Sequence, residues 1–222
     1  MRLITLLRLT AVAILAVIIP SALTAADDAA NKLADAVIKA SGGAVWPSVK
    51  RIRFSFVVEE PGKAEPVLVA KHDWDVATYT DTVEWKGKKV TIDVWDPDSL
   101  KTDDAKAAMA RWTNDSYWLV APLKLRDAGV ILKYGGKKLV DGREMELLDV
   151  SFGKVGMTNG DRYTLYIDPK TSLIAKWDYM PSPDQKITSA WEDYKDFNGL
   201  KLATMHHFAG KVLTVTDVTV DR

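Results

Sequence analysis

The sequence predicts a mainly β protein of the α+β class, in which a strongly curved antiparallel sheet or a barrel is covered by helical segments. From Val49 onward, apolar and polar residues alternate in about eleven or twelve short segments, which is the period of a half-buried strand. Turn-forming pairs such as Asp141-Gly142 and Asn198-Gly199 separate them. So many strands in one chain curl rather than lie flat, and the concave side of the sheet then needs filling.

The first 26 residues are predicted to be a secretory signal peptide rather than part of the fold. Arg2 and Arg8 precede an apolar run over 11–19 that is short for a bilayer, and small residues lead to a cleavage position after Ala26. An uncleaved N-terminal anchor is the alternative. Residues 27–222 are predicted to form a single domain, because no linker, low-complexity tract or internal repeat divides them.

Composition limits both the class of protein and its compartment. The 222 residues are 47% hydrophobic and carry 30 basic and 30 acidic side chains, which does not suit a nucleic-acid-binding or disordered protein. The absence of cysteine excludes a lipidated lipoprotein, a Cys-rich zinc site and a thiol nucleophile. A signal peptide on a cysteine-free chain predicts a soluble, diffusing protein of the bacterial periplasm.

Two helical regions are expected to cover the sheet. Asp27 and Asp28 favour the start of a helix over 27–42, which Gly42-Gly43 ends. A short helical insertion follows Asp98 or Ser99 and runs through 105–109, with a further helical turn over 122–127. The predicted strands cover 49–58, 66–76, 79–85, 88–95, 114–120, 130–134, 144–152, 162–167, 173–180, 185–194, 201–208 and 212–220, and Gly135-Gly136 is predicted as a turn.

The titratable residues do not form a recognisable catalytic or metal-binding motif. His206 and His207 are adjacent on a strand and face opposite sides, so they cannot share one metal, and the same argument excludes Glu192 with Asp193 as a glycosidase pair. The inward histidine can hydrogen-bond a ligand head group or a backbone carbonyl. The acidic residues over 93–104 lack the glycine and closing glutamate of an EF-hand and are better explained by helix capping. No cofactor, no metal and no enzymatic activity are predicted.

Aromatic residues are the strongest candidates for a binding surface. The 8 Trp, 7 Tyr and 5 Phe lie mostly on predicted strands, where a ring suits either a core or a cavity wall, and alternation does not separate the two. The candidate residues for a ligand cavity are Phe54, Phe56, Trp74, Trp85, Ile92, Trp118, Leu165, Trp177 and Trp191.

Three segments carry a resemblance to a known family. They are Tyr117-Trp118-Leu119-Val120-Ala121-Pro122-Leu123-Lys124, then 163–171 leading to Ile174 and Trp177, and 191–194 with 197–200. Together they resemble the LolA/LolB-like superfamily of periplasmic lipoprotein- and lipid-binding proteins, in a little-characterised branch. The resemblance implies a half-barrel of about eleven antiparallel strands, with an N-terminal helix and a helical insertion over an apolar cavity that holds acyl chains.

The chain also departs from that family. The carrier has an arginine early in its sheet that links the helical lid to the strands, but residues 71–80 contain neither Arg nor Pro, so this role is not transferred to Arg53 or any other residue. The lipidated cysteine of the receptor member is missing as well.

The expected function is therefore binding of an apolar or acylated ligand, a lipid or a lipoprotein acyl chain, by a periplasmic monomer that acts as a carrier between membranes. Inner- or outer-membrane envelope proteins are further candidate partners, and nucleic acid is not. The alternative is a non-enzymatic scaffold protein with a filled barrel. A periplasmic hydrolase is a third possibility, for which no nucleophile and base are visible together.

Overall fold

One open antiparallel sheet dominates the molecule, and two helices pack on it. The structure is a computed structural model that describes residues 21–153 and 160–222, without the side chains of 21–26. Within these residues the sheet has twelve strands and does not close, which confirms the predicted α+β half-barrel. Most of the predicted signal peptide, residues 1–20, lies outside the described residues, so it stays a prediction. Neither described α-helix holds a segment long and apolar enough to cross a membrane.

The bounds of the elements follow the sequence pattern closely in most places. The helices are α1 (Ser21–Ala40) and α2 (Asp103–Val120), and short 3-10 helices cover Trp46–Ser48, Pro97–Ser99 and Ala121–Leu123. The strands are β1 (Arg51–Glu59), β2 (Leu68–Asp75), β3 (Thr80–Trp85), β4 (Lys88–Asp93), β5 (Val130–Val140), β6 (Arg143–Phe152), β7 (Arg162–Ile167), β8 (Ile174–Ser182), β9 (Gln185–Ala190), β10 (Glu192–Phe197), β11 (Leu200–Phe208) and β12 (Lys211–Asp221).

The strand order places the first and last strands of the chain side by side. The order is β4-β3-β2-β1-β12-β11-β9-β8-β7-β6-β5, and β10 pairs with β11. The β1–β12 pairing runs from Arg51 opposite Asp221 to Glu59 opposite Val212 and joins two halves that are otherwise built mainly from consecutive hairpins. Helix α1 packs against β5 and helix α2 against β4, so each edge strand is met by a helix.

The core occupies the concave side of the sheet. Ile52, Phe54, Phe56 and Val58 of β1 are all buried, as their alternation predicts, and they belong to one large apolar cluster that also holds residues of α1, α2 and the later strands. Helices on a single face of an antiparallel sheet leave its other face in water, which explains the alternating pattern.

The prediction of a strand over 114–120 was wrong. Helix α2 begins after Thr102, whose Oγ1 accepts a hydrogen bond from the N–H of Ala105, and it continues without a break to Val120. Ala108, Asp115 and Leu119 are fully buried at helical spacing. Burial of this face outweighs the strand preference of Tyr117 and Trp118, since tertiary packing overrides a weak intrinsic propensity.

Two smaller predictions were also wrong. Gly135-Gly136 is not a turn but a point inside β5 where the register against β6 shifts, and the chain reverses only at Asp141-Gly142. The single strand predicted over 185–194 is two strands, since β9 ends at Ala190 and β10 begins at Glu192. Trp191 lies between them and is buried, which accounts for the apolar pattern running through the break.

Candidate functional site

A cavity of about 490 Å³ lies between α2 and the concave face of the sheet. Its volume is within the range of small-molecule sites. Ala110 and Asn114 belong to its wall and are exposed on α2, so the cavity opens to solvent beside the helix. Its apolar walls come from both ends of the chain: Phe56, Val58, Leu68, Tyr117, Trp118, Phe152, Tyr163, Trp177, Tyr179, Ile187 and Phe208.

The aromatic rings of the wall contact one another in a continuous row. Tyr163 lies 4.9 Å from Trp177 and 4.9 Å from Tyr179 between ring centroids, and Trp118 lies 4.7 Å from Trp177. Tyr117 reaches from α2 to within 5.4 Å of Tyr163. Rings that brace one another in this way hold their rotamers, so the wall is preformed on rigid elements rather than on loops.

Few polar groups interrupt this wall. The hydroxyl of Tyr179 donates to Asp161 at 3.1 Å, and burial raises the pKa of Asp161. Burial also raises the pKa of Tyr179 to about 12 and moves the pKa values of Tyr117 and Tyr163 further up. A phenol is neutral at physiological pH even at its ordinary pKa, and burial keeps these three neutral well above it, so the wall suits an apolar ligand with few hydrogen-bonding groups.

The sequence-predicted cavity residues separate into several environments. Phe56, Trp118 and Trp177 lie on the cavity wall, whereas Phe54, Leu165 and Trp191 belong to the large core cluster without lining the cavity. A ligand-binding role for these residues stays a prediction.

The other three predicted residues lie elsewhere. Ile92 packs in a second, smaller core beside α2, and the half-buried Trp85 packs against both clusters. Trp74 lines a different cavity.

Several wall residues were not predicted, above all those of α2. Ala110, Asn114 and Tyr117 follow one helix face at i, i+4 and i+7, a spacing that the assignment of 114–120 to a strand concealed. A test of 103–120 for helical period would have placed these residues on one face.

A buried ion cluster ties α2 to the sheet next to this face. In His72 of β2, Nδ1 is 2.8 Å from Oδ2 of Asp81 on β3, and Nε2 is 3.2 Å from Oδ2 of Asp115 on α2. All three side chains are fully buried. Arg111 lies 3.6 Å from Asp115, and Phe54 stacks on the imidazole at 4.5 Å. Because both ring nitrogens already face carboxylates, the imidazole holds the helix in place rather than offering a lone pair to a substrate.

The charge of His72 follows from competing effects. Burial lowers its pKa, but hydrogen bonding to Asp115 and Asp81 and the charges of these carboxylates outweigh burial, so the net effect raises the pKa of His72. The sequence did not indicate this cluster, because Asp115 lies 43 residues after His72 and only the packing of α2 on β2 and β3 brings it to the imidazole.

The two adjacent histidines face opposite sides of β11, as predicted. His206 is fully buried, lies edge-on to Trp118 at 5.2 Å, and its Nδ1 is 3.2 Å from the Ala190 carbonyl. Burial lowers the pKa of His206 to about 3, so the ring is neutral and Nδ1–H donates. His207 is exposed and pairs with Glu192 at 2.7 Å. The inward histidine thus satisfies a backbone carbonyl, one of the two predicted alternatives.

Comparison with solved structures shows the same fold at low sequence identity. A LolA superfamily protein from Nitrosomonas europaea gives a TM-score of 0.54 at 9% identity, covering 85% of this chain and 94% of the other. A domain from Vibrio parahaemolyticus, described as an outer membrane lipoprotein-sorting protein, gives 0.51 at 10% identity, covering 88% and 93%. No protein-family model and no curated protein matches the sequence. The chain therefore has the LolA-like fold that its sequence resemblance implies.

Proposed function

We propose that this protein binds an apolar or acylated ligand, a lipid or a lipoprotein acyl chain, in the cavity under α2, and that it carries this ligand across the periplasm. The observation that carries the proposal is the aromatic wall of the 490 Å³ cavity. The apolar wall of an unoccupied cavity faces water and lacks van der Waals contacts on that side, and both are unfavourable. An apolar ligand that fills the cavity removes this surface from water and supplies the missing contacts. The two solved structures with this fold support the proposal, because one is described as a LolA superfamily protein and the other as a lipoprotein-sorting domain.

The proposal assigns binding rather than catalysis to the site. Its buried phenols stay protonated, His206 pairs with a backbone carbonyl, and His72 is held by two carboxylates. Neither histidine lines the cavity, and these groups are not arranged as a nucleophile with its base. The periplasmic location rests on the predicted signal peptide and on the absence of cysteine.

The first experiment is native mass spectrometry of the protein purified from the cell that makes it, followed by organic extraction. We expect a discrete added mass that extracts as a lipid. A bare polypeptide mass that stays unchanged after incubation with palmitic acid and with a diacyl phospholipid would overturn the proposal. The scaffold interpretation would then replace it.

A substitution that obstructs the cavity tests whether the ligand binds there and leaves the buried side chains of the core in place. Ala110 is exposed at the cavity wall, so Ala110→Trp places an indole in the opening, and we expect palmitate affinity to fall at least tenfold. Ala107→Trp makes the same change at an exposed α2 position outside the wall and should bind as the wild type does. Trp118→Ala is a poorer test, because Trp118 is 9% exposed and its loss also leaves a hole in the core. Equal affinity of the two Ala→Trp variants would place the ligand elsewhere.

A further inference from the structure

A second cavity of about 600 Å³ lies where β1 begins and β2 ends. It shares no wall residue with the cavity under α2, although both touch that helix: Trp112 lines the second cavity, and Tyr117 and Trp118 line the first. The proposed function does not involve this second cavity, and the residues that line it differ in kind and charge from those of the first.

Five aromatic rings from five separate segments meet at the second cavity. Trp46 precedes β1, Trp74 is near the end of β2, Tyr79 is in the β2–β3 turn, Trp95 follows β4, and Trp112 is on α2. Ring centroids are 6.2 Å apart for Trp46 and Trp74, 5.5 Å for Trp74 and Trp112, and 5.2 Å for Tyr79 and Trp95. Convergence of this kind makes a preformed apolar site.

The outer two rings are unusually exposed for their size. Trp95 is 76% exposed and Tyr79 is 50% exposed. Tyr79 also has a left-handed backbone with φ of 58°, a conformation that is costly for a bulky side chain. Contiguous exposed aromatic surface at the edge of a concave site is characteristic of a binding surface.

The charged side chains of this wall have a single sign. They are Lys50, Lys124 and Arg222, and no Asp or Glu lines the wall. Lys124 pairs with Asp127 at 2.8 Å, whereas Lys50 and Arg222 make no ion pair with the described part of the chain. The nearby Asp93 accepts the backbone N–H of Trp95 and is not a wall residue. By contrast, the wall of the first cavity carries Arg111 and Asp161, one charge of each sign.

We propose that the second cavity binds a phosphate-bearing amphiphile, a molecule with an apolar body and one phosphate head. The aromatic rings bury the apolar body of the ligand. The lysine and arginine side chains pair with its anionic head, because cationic donors form charge-assisted hydrogen bonds with such groups. A cationic ligand would meet three like charges, and a neutral one would leave Lys50 and Arg222 without an ionic partner.

The test uses octyl phosphate, with inorganic phosphate as the head alone and octyltrimethylammonium as the same chain with opposite charge. The readout is the set of eight indole N–H signals in a ¹H–¹⁵N spectrum, one for each Trp and assigned by single Trp→Phe variants. We expect octyl phosphate to shift the signals of Trp46, Trp74, Trp95 and Trp112 at concentrations at least tenfold below those at which phosphate alone does so. The ammonium compound should not shift them.

Charge-neutralising variants identify the groups that bind the head. Lys50→Gln combined with Lys124→Gln should weaken octyl phosphate binding at least tenfold, whereas Lys71→Gln, an exposed lysine on β2 outside the wall, should leave it unchanged. Ala110→Trp should also leave it unchanged, because that residue lines only the first cavity.

Three results would overturn the inference. One is a set of shifts confined to Trp118 and Trp177, which would place octyl phosphate in the first cavity. Another is equal binding of the phosphate and ammonium amphiphiles, which would remove the role of charge. The third is equal binding of octyl phosphate and inorganic phosphate, which would remove the role of the aromatic rings. The first of these results would support binding of an alkyl chain in the first cavity, and the other two leave the palmitate test of that cavity unaffected.

Discussion

Two carboxylates hold the imidazole of His72 in the interior, and this makes the fold sensitive to pH. A buried charge is tolerated only when it is paired and hydrogen-bonded, and His72 has Asp81 on one side and Asp115 on the other. Arg111 lies 3.6 Å from Asp115 and partly balances the second negative charge. Breaking such a cluster from one side leaves an unpaired charge in the interior, so its members act as a unit.

The free energy of unfolding should fall as the pH rises above about 6.5, the usual pKa of histidine in an unfolded chain. Below that pH, His72 is protonated in both states and the stabilisation by its raised pKa is fully present. Above it, only the folded state keeps the proton, so the stabilisation is lost as the pH rises through the raised pKa. Asp115→Asn removes one negative partner, and we expect a lower free energy at pH 6 and a flatter fall between pH 6.5 and 9.

Urea unfolding measured at several pH values checks this expectation. His207→Gln is the matched control, because it removes an exposed imidazole that pairs with Glu192 on the other face of β11. If the fall with pH vanishes in His207→Gln and persists unchanged in Asp115→Asn, the buried cluster is not its source.

The sequence could predict which strand residues face inward but not what they meet there. Phe54 and Phe56 both face the concave side, as alternation predicts, yet only Phe56 lines the first cavity. The same holds for Trp191 and Trp177, which are both buried although only Trp177 belongs to the wall. An aromatic ring packs equally well in a core and in a cavity wall. Whether a given ring lines the cavity therefore depends on how far the covering helix lies from the sheet at that point.

Helix α2 is the element on which both cavities depend, and its start is fixed by one side chain. Thr102 Oγ1 accepts the N–H of Ala105 at 3.1 Å, which satisfies one of the free donors of the first turn. We expect Thr102→Ala to lower the free energy of unfolding by about 1 kcal/mol in urea unfolding. Thr102→Ser keeps the hydroxyl and should lose little, so an equal loss in both variants would show that the methyl group matters rather than the cap.

The length of α2 was harder to predict than its existence. The capping signal near 98–102 and the helical spacing of Ala105 and Met109 indicated a helix, but Tyr117 and Trp118 favour a strand by intrinsic preference. What extends the helix is contact with distant strands, since Trp118 packs on Trp177 and His206. Such contacts are nonlocal, and a short window of sequence does not contain them.

At the scale of the whole molecule, the two halves of the sheet are joined by the first and last strands of the chain, which are neighbours in space. The alternating pattern predicts each strand but not its neighbours, and the pairing of β1 with β12 joins Arg51 to Asp221. The resemblance to the LolA-like family was therefore needed to predict a half-barrel rather than a closed barrel. Contacts between residues so far apart form late and slow the folding of a sheet.

This topology predicts that the same substitution has very different costs on β12 and on the edge strand β5. Leu213 of β12 is fully buried and lies between Val58 of β1 and His206 of β11, so Leu213→Ala should lower the free energy of unfolding by about 2–5 kcal/mol. Leu139 of β5 is 72% exposed, so Leu139→Ala should change it by less than about 0.5 kcal/mol. Urea unfolding of both variants gives the comparison, provided that the slope of the free energy against urea stays constant. Equal losses would mean that burial of Leu213 between β1 and β11 contributes no more than the exposed position of Leu139 at the edge, because the removed atoms are the same.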